Sequence, residues 1–184
     1  MAFDGDIIAL DVSSSRTGIA RGRPGQIPVL TSQEFTGLGQ GVTADHTMAF
    51  GQCLRWCAAE FAIKPALVVL EAPLVRSGDK DGQNRAILLL GLTAVVRSAA
   101  NSRSIRCELA HVGTWRKYML GNGNLPGADA KRRAMAICKQ IGMPAKNHDE
   151  AEACGVWLWA CGKFAKQHDD RLLPLLAKAR LQAA

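Results

Sequence analysis

The segment IIALDVSSSRTGIA, residues 7–20, constrains the fold of this chain more than any other stretch. It opens with four apolar residues, a run typical of a buried strand, and this run leads directly into Asp11. The serines that follow predict a tight turn, and a second strand is expected at 17–22. A carboxylate at the end of a buried strand is unfavourable unless something pairs with its charge. Asp11 is therefore either a turn residue or a functional one.

The remaining apolar patterns predict an alternation of strands and helices. The predicted strands are 7–12, 17–22, 28–35, 66–70 and 105–111, and the predicted helices are 43–63, 84–101, 128–141 and 149–166. Thr43 or Asp45 is the expected N-cap of the first helix. Three leading strands followed by alternating helices and strands indicate an α/β fold with a mixed five-stranded sheet flanked by helices. We expect one domain over residues 1–184, with a short helical tail from about residue 167.

The composition and the distribution of apolar residues and cysteines argue against a membrane-spanning, a secreted and a zinc-binding protein. With 184 residues, 48% of them hydrophobic and 21% charged, the chain is expected to form a globular domain. It has no apolar run of membrane-spanning length, and its first ten residues lack the basic region of a signal peptide, so a cytoplasmic location is expected. The six cysteines include no C-x-x-C pair and are predicted to be reduced and mostly buried, not zinc ligands.

Positive charge is concentrated in one part of the chain. The net charge is +7, and ten Lys and Arg residues lie between Arg97 and Lys146 against only Glu108 and Asp129. A solvated helix face usually mixes both signs, so this excess favours a polyanionic partner such as nucleic acid.

Four carboxylates occupy informative places. Asp11 and Glu71 each end a predicted buried strand, and Asp149 and Glu152 lie one turn apart at the start of the last major helix. Each alone has a structural explanation, as a turn, strand-end or helix N-terminal acid. Together, without cationic partners in the local sequence, they would repel one another unless a cation lay between them. Oxygen ligands suit Mg²⁺ or Mn²⁺, and a pair of such ions is the arrangement that cleaves phosphodiesters.

Three motifs carry a resemblance to a known family. LDVSSSRTGIA, VVLEAP and HDEAEACGVWLWA resemble, in order and spacing over about residues 6–165, the motifs of the RuvC-like Holliday junction resolvases, especially the phage and prophage type, within the RNase H-like superfamily. There are departures. Val12-Ser13 stands where the cellular enzymes usually have Pro-Gly. Glu152 occupies a position that is more often aspartate in the family, and Leu74-Val75 lies where the cellular enzymes have an aromatic wedge residue.

The resemblance implies a structure-selective endodeoxyribonuclease of DNA recombination and repair that nicks four-way junctions as a homodimer. It implies that Asp11, Glu71, Asp149 and Glu152 are both the catalytic residues and the ligands of two Mg²⁺ or Mn²⁺ ions, with Asp11 bridging them. The very apolar helix 84–101 would then suit the dimer interface.

The predicted nucleic-acid contacts lie in the serine turn, shortly after Glu71 and in the basic segment, residues 97–146. They are Ser13, Arg16, Arg76, Trp115, Arg116, Lys117, Lys131, Arg132 and Arg133. Trp115 fits a core position as well as a base contact. His148 fits a proton carrier, a metal ligand or a helix cap.

Three alternatives remain open from the sequence. The first is another RNase H-like nuclease that acts on RNA or flap DNA. The second is a nucleotide-binding module of the actin and sugar-kinase type, which normally needs a second related domain to close over the nucleotide. The third is a non-catalytic DNA-binding protein that uses the same fold as a scaffold.

Overall fold

A mixed five-stranded sheet forms the centre of the computed structural model, which describes residues 3–36, 46–74 and 80–183. The strands are β1 (Ile7–Asp11), β2 (Thr17–Gly22), β3 (Val29–Gln33), β4 (Leu67–Glu71) and β5 (Arg106–Ala110). The helices are α1 (Thr47–Glu60), α2 (Lys80–Asn101), α3 (Val112–Leu120), α4 (Gly127–Gln140), α5 (His148–Phe164) and α6 (Asp169–Gln182). Within the described ranges, none of these helices is long and apolar enough to span a membrane.

The strand order is β3-β2-β1-β4-β5. The first three strands pair antiparallel as a meander, and β4 and β5 continue the sheet in parallel with β1. Leu10 pairs with Leu70, so the residues that follow them, Asp11 and Glu71, leave neighbouring parallel strands at the same edge of the sheet. The predicted fold class is confirmed, and the two strands that end in Asp11 and Glu71 are neighbours in the sheet.

Both faces of the sheet are covered, which explains why β1 is apolar at every position before Asp11. Ile7 and Ala9 pack into the core on the face that carries α3, α4 and α5, whereas Ile8 and Leu10 pack under α1 and α2. The cysteine prediction also agrees with the structure, because all six thiols are unbridged and five of them are buried.

One helix was missing from the sequence prediction. Helix α3 has nine residues, and its inward positions, Trp115 and Met119, form too short a pattern to indicate a helix. It ends at Gly121, whose φ of 80° is the left-handed conformation that favours glycine at a helix C-terminus. The tail helix α6 fixes this end, because the Arg180 guanidinium donates to the backbone carbonyls of Tyr118 and Met119.

The boundaries of two predicted helices differ. Helix α2 begins at Lys80, four residues before the predicted start, and α1 begins at Thr47 and ends in a short 3₁₀ turn, Phe61–Ile63. The expected N-caps of α1, Thr43 and Asp45, lie outside the described residues.

Candidate active site

A cleft of about 240 Å³ opens where β1 and β4 end and α5 begins. We call it the acidic cleft, because its lining includes all four predicted ligands and the basic residues of two helices: Asp11, Glu71, Asp149, Glu152, Arg85 and Lys131. Sheet topology places Asp11 beside Glu71, and the packing of α5 across β1 and β2 brings the other two carboxylates to the same place. The structure therefore brings the acids of all three sequence motifs together.

Asp11 and Glu152 are the two buried acids of the cleft, with 6% and 5% of their surface exposed. Burial raises the pKa of Asp11 well above its ordinary value, and the negative charges of Glu71, Glu152 and Asp149 raise it further. Lys131 opposes this shift only in part. A buried carboxylate among like charges is the environment in which a bound cation would be most stabilising.

Gly18 explains how α5 comes so close to Asp11. It pairs with Asp11 across the β1–β2 ladder, and a Cβ on Gly18 would overlap the backbone carbonyl of Asp149. The missing side chain leaves room for the first turn of α5.

Asn147 caps the N-terminus of α5. Its side chain accepts a hydrogen bond from the N–H of Glu150 (2.9 Å), and the Glu150 carboxylate accepts from the N–H of Lys146 (2.8 Å) and from Ser32 Oγ (3.3 Å). Glu150 is thus a third acid of the same motif, and its contacts are structural. His148 is exposed at the first position of the helix, and the capping role considered for it belongs to Asn147.

Glu71 is held by a tryptophan from α3. The indole Nε1–H of Trp115 donates to Glu71 Oε2 at 2.6 Å. Burial raises the pKa of Glu71 to about 7, and this hydrogen bond acts in the opposite direction because it favours the ionised form. Trp115 itself is fully buried, so of the two roles that the sequence left open, the structure supports the core position and offers no exposed ring for a base to stack on.

Glu152 has two cationic neighbours, which the sequence did not indicate. Arg116 donates to Glu152 Oε1 at 3.0 Å, and Lys131 Nζ lies 3.9 Å from Oε2. Burial raises the pKa of Glu152, while Lys131 and Arg116 act to lower it. Both partners come from helices far away in the sequence, so the local sequence around the four acids does not indicate them.

The carboxylates line the acidic cleft but are not gathered around one point. Across residues 3–36, 46–74 and 80–183, no three acidic, histidine or cysteine side chains are placed closely enough to share a metal ion. Two of the acids are hydrogen-bonded to neighbouring side chains, Glu71 to Trp115 and Glu152 to Arg116. The donor set nevertheless suits a hard divalent cation, because it consists of carboxylate oxygens.

Some predicted nucleic-acid contacts have partners within the protein. Ser13 Oγ closes the serine turn by accepting from the N–H of Arg16 (3.0 Å) and donating to its carbonyl (2.6 Å). The Arg16 guanidinium pairs with Glu34 on the surface, and Arg132 pairs with Asp129. Arg116 is largely buried on Glu152, so of the Trp115-Arg116-Lys117 run only the third residue is exposed.

Lys131 is the one predicted contact from the basic segment that lines the acidic cleft, while Arg133 is half-buried on the same helix. Arg85, on α2, also lines the cleft and is absent from the sequence prediction, because it stands just before the apolar run of this helix and nothing in the local sequence indicates that it faces the acids. Arg76 and Val75 lie outside the described residues.

Neither a protein-family model nor a curated protein sequence matches this chain. Solved structures do. The structure of Thermus thermophilus RuvC in complex with a Holliday junction substrate has 13% sequence identity and a TM-score of 0.66, covering 90% of this chain and 98% of that one. The fold is that of the RuvC resolvases.

Two further structures support this assignment of the fold. Thermus thermophilus RuvC on its own gives a TM-score of 0.59 at 13% identity, covering 87% of this chain and 97% of that one. The yeast mitochondrial Holliday junction resolvase Ydc2 gives a TM-score of 0.52 at 9% identity, covering 89% of this chain and 82% of that one. The RuvC-like fold expected from the three motifs is therefore confirmed, although sequence identity is low throughout.

Proposed function

We propose that this protein is a divalent-metal-dependent endonuclease that nicks branched DNA of the Holliday junction type. The observation that carries the proposal is the acidic cleft, in which a buried Asp11 is surrounded by three further carboxylates from β4 and α5. The RuvC-like fold supports the substrate class, because one of the similar structures is RuvC with a Holliday junction substrate.

The four carboxylates would hold the metal, which we propose to be Mg²⁺ or Mn²⁺. Asp11 would be the central ligand, with Glu71 beside it at the end of the neighbouring strand and Asp149 and Glu152 on α5. When bound, two such ions supply the positive charge that activates the attacking water and stabilises the leaving oxygen. A bound cation would offset the repulsion between the carboxylates, which together with burial raises the pKa of Asp11.

Basic residues at the acidic cleft are suited to hold the scissile phosphate. Lys131 and Arg85 line the cleft from α4 and α2, and both side chains are substantially exposed. Lys117 and Arg132 extend the positive charge over the outer surface of α3 and α4, as does Arg133 in part. These residues contact the DNA backbone, whereas Trp115 and Arg116 act within the protein.

A substrate panel tests the proposed function. Wild-type protein is incubated with four-way junction, flap, linear duplex and RNA substrates, in Mg²⁺, in Mn²⁺ and in chelator. We expect nicking of the four-way junction in either metal, at least tenfold faster than of linear duplex, and none in chelator. Faster cleavage of RNA or flaps would move the assignment to another RNase H-like nuclease. ATP hydrolysis without nicking would favour a nucleotide-binding module, and DNA binding without cleavage a scaffold protein.

We also propose that the protein is a homodimer formed through α2. This helix has an outward apolar stripe: Ile87 and Leu90 are 55% and 48% exposed, and Ala94 follows one turn later. A second copy of the same helix would cover the stripe. The cytoplasmic location stays a prediction.

Leu90→Glu tests the dimer. A charge in the centre of the stripe should raise the dimer dissociation constant at least tenfold, measured by sedimentation equilibrium. Leu181→Glu is the matched control, because Leu181 is 83% exposed on α6, away from the stripe. Wild-type protein that is monomeric at micromolar concentration would contradict this assignment, as would an equal effect of the two substitutions.

A further inference from the structure

The indole of Trp115 connects two elements of the acidic cleft. Its Nε1–H is bonded to Glu71, the last residue of β4, at 2.6 Å. The six-membered part of the same ring packs on α5 at Gly155, where an added Cβ would lie 2.6 Å from Cε3 and from Cζ3. Helix α5 carries Asp149 and Glu152, so one buried side chain touches both the strand and the helix that supply the acids.

The position of the ring leaves it little freedom. Trp115 is fully buried, and Met119, one turn further along α3, also packs against Gly155. A ring fixed in this way holds its N–H in one direction, and Glu71 Oε2 is the atom that it meets. A carboxylate can accept a hydrogen bond at one oxygen and bind a cation through the other.

We propose that Trp115 is a positioning residue that orients Glu71 for metal binding. The inference rests on the proposed function, since it concerns a ligand of the proposed metal site. Trp115 acts through Glu71, because its hydrogen bond to Oε2 fixes the rotamer of this carboxylate. Partners that orient ligands in this way typically contribute tenfold to a hundredfold to metal affinity.

The test compares Trp115→Phe with a matched control, Trp157→Phe. Both tryptophans are fully buried, and both donate an indole N–H, but Trp157 donates to the backbone carbonyl of Gly22 (3.3 Å), away from the acids. Each full-length variant is titrated with Mn²⁺ without DNA, and free Mn²⁺ is measured by electron paramagnetic resonance. We expect the Mn²⁺ dissociation constant to rise about tenfold for Trp115→Phe and by less than twofold for Trp157→Phe.

The background variant Glu71→Gln separates positioning from packing. In that background Trp115→Phe should weaken Mn²⁺ binding no further, because the residue it orients is no longer a charged ligand. Equal dissociation constants for the two tryptophan variants would overturn the inference, as would tighter binding by Trp115→Phe, and both results would leave the proposed function standing. Wild-type protein that binds no Mn²⁺ at millimolar concentration would overturn the proposed function as well.

A measurement on the wild-type protein covers the case in which Trp115→Phe does not fold. With ¹⁵N-labelled tryptophan the four indole N–H signals can be followed during a Mg²⁺ titration and assigned by substituting the other three tryptophans. The Trp115 signal should shift most, because its acceptor becomes a metal ligand. An unmoved Trp115 signal at saturating Mg²⁺ would contradict the inference.

Discussion

Replacing Asp11 with asparagine should stabilise the metal-free protein and abolish its nuclease activity. Asparagine has nearly the same shape but no charge, so it removes the repulsion between Asp11 and Glu71, Glu152 and Asp149. It also removes the free-energy cost of burying a charge, because Asp11 is only 6% exposed. We expect a gain of about 1–2 kcal/mol in the free energy of unfolding, or roughly 2–8 °C in Tm for a chain of this size.

The gain in stability from Asp11→Asn should increase as the pH rises. Burial raises the pKa of Asp11, and it raises that of Glu71 from 4.5 to about 7. As pH rises through this range, the folded protein retains protons that the unfolded chain has already released, so the wild type loses stability. Thermal unfolding in chelator should therefore show a larger advantage for Asp11→Asn at pH 8 than at pH 5.

Asp4→Asn is the control for this measurement. Asp4 precedes the opposite end of β1, and its side chain is 85% exposed, so its substitution should leave Tm unchanged within about 1 °C. A lower Tm for Asp11→Asn than for wild type at pH 8 in chelator would show that Asp11 makes favourable contacts in the metal-free state. That result would contradict the repulsion between Asp11 and the other three carboxylates.

Gly18→Ala should strongly destabilise the protein and damage the acidic cleft. The added methyl group would overlap the backbone carbonyl of Asp149 and lie 3.0 Å from the Glu150 nitrogen. Backbone atoms at a capped helix N-terminus cannot rotate away as a side chain can, so α5 must shift from the sheet. We expect a loss of about 3 kcal/mol or more, which is roughly 6–12 °C in Tm.

Metal binding should also weaken in Gly18→Ala, because Asp149 moves with the first turn of α5. The measurement is thermal unfolding together with Mn²⁺ titration of the folded protein at low temperature. Gly127→Ala, at the start of α4, is the control, since a Cβ there would meet nothing within 4 Å. Similar Tm values for the two variants would mean that α5 does not lie against Gly18.

The sheet and the positions of Asp11 and Glu71 could be predicted because their signals are local. Each of these acids directly follows an apolar run, and adjacent parallel strands bring such ends together. The partners of the acids could not be predicted. Trp115 is 44 residues from Glu71 and Arg116 is 36 residues from Glu152, and they meet only because α3 packs on α5.

The start of α5 shows that a sequence motif does not identify the role of each of its residues. Its sequence offers three acids, and helical spacing places Asp149 and Glu152 on one face. Spacing alone does not show what the remaining acid contacts. The structure places Glu150 against Ser32 and the Lys146 N–H, which makes it part of the helix cap.

The most direct test of the proposed nuclease centre compares wild type and Asp11→Asn on one labelled four-way DNA junction at saturating Mg²⁺. The proposed metal site predicts nicking by wild type, a rate at least a thousandfold lower for Asp11→Asn, and junction binding by the variant that stays within about threefold of wild type. Equal nicking by the two proteins would contradict the assignment of Asp11 and the acidic cleft as the catalytic centre.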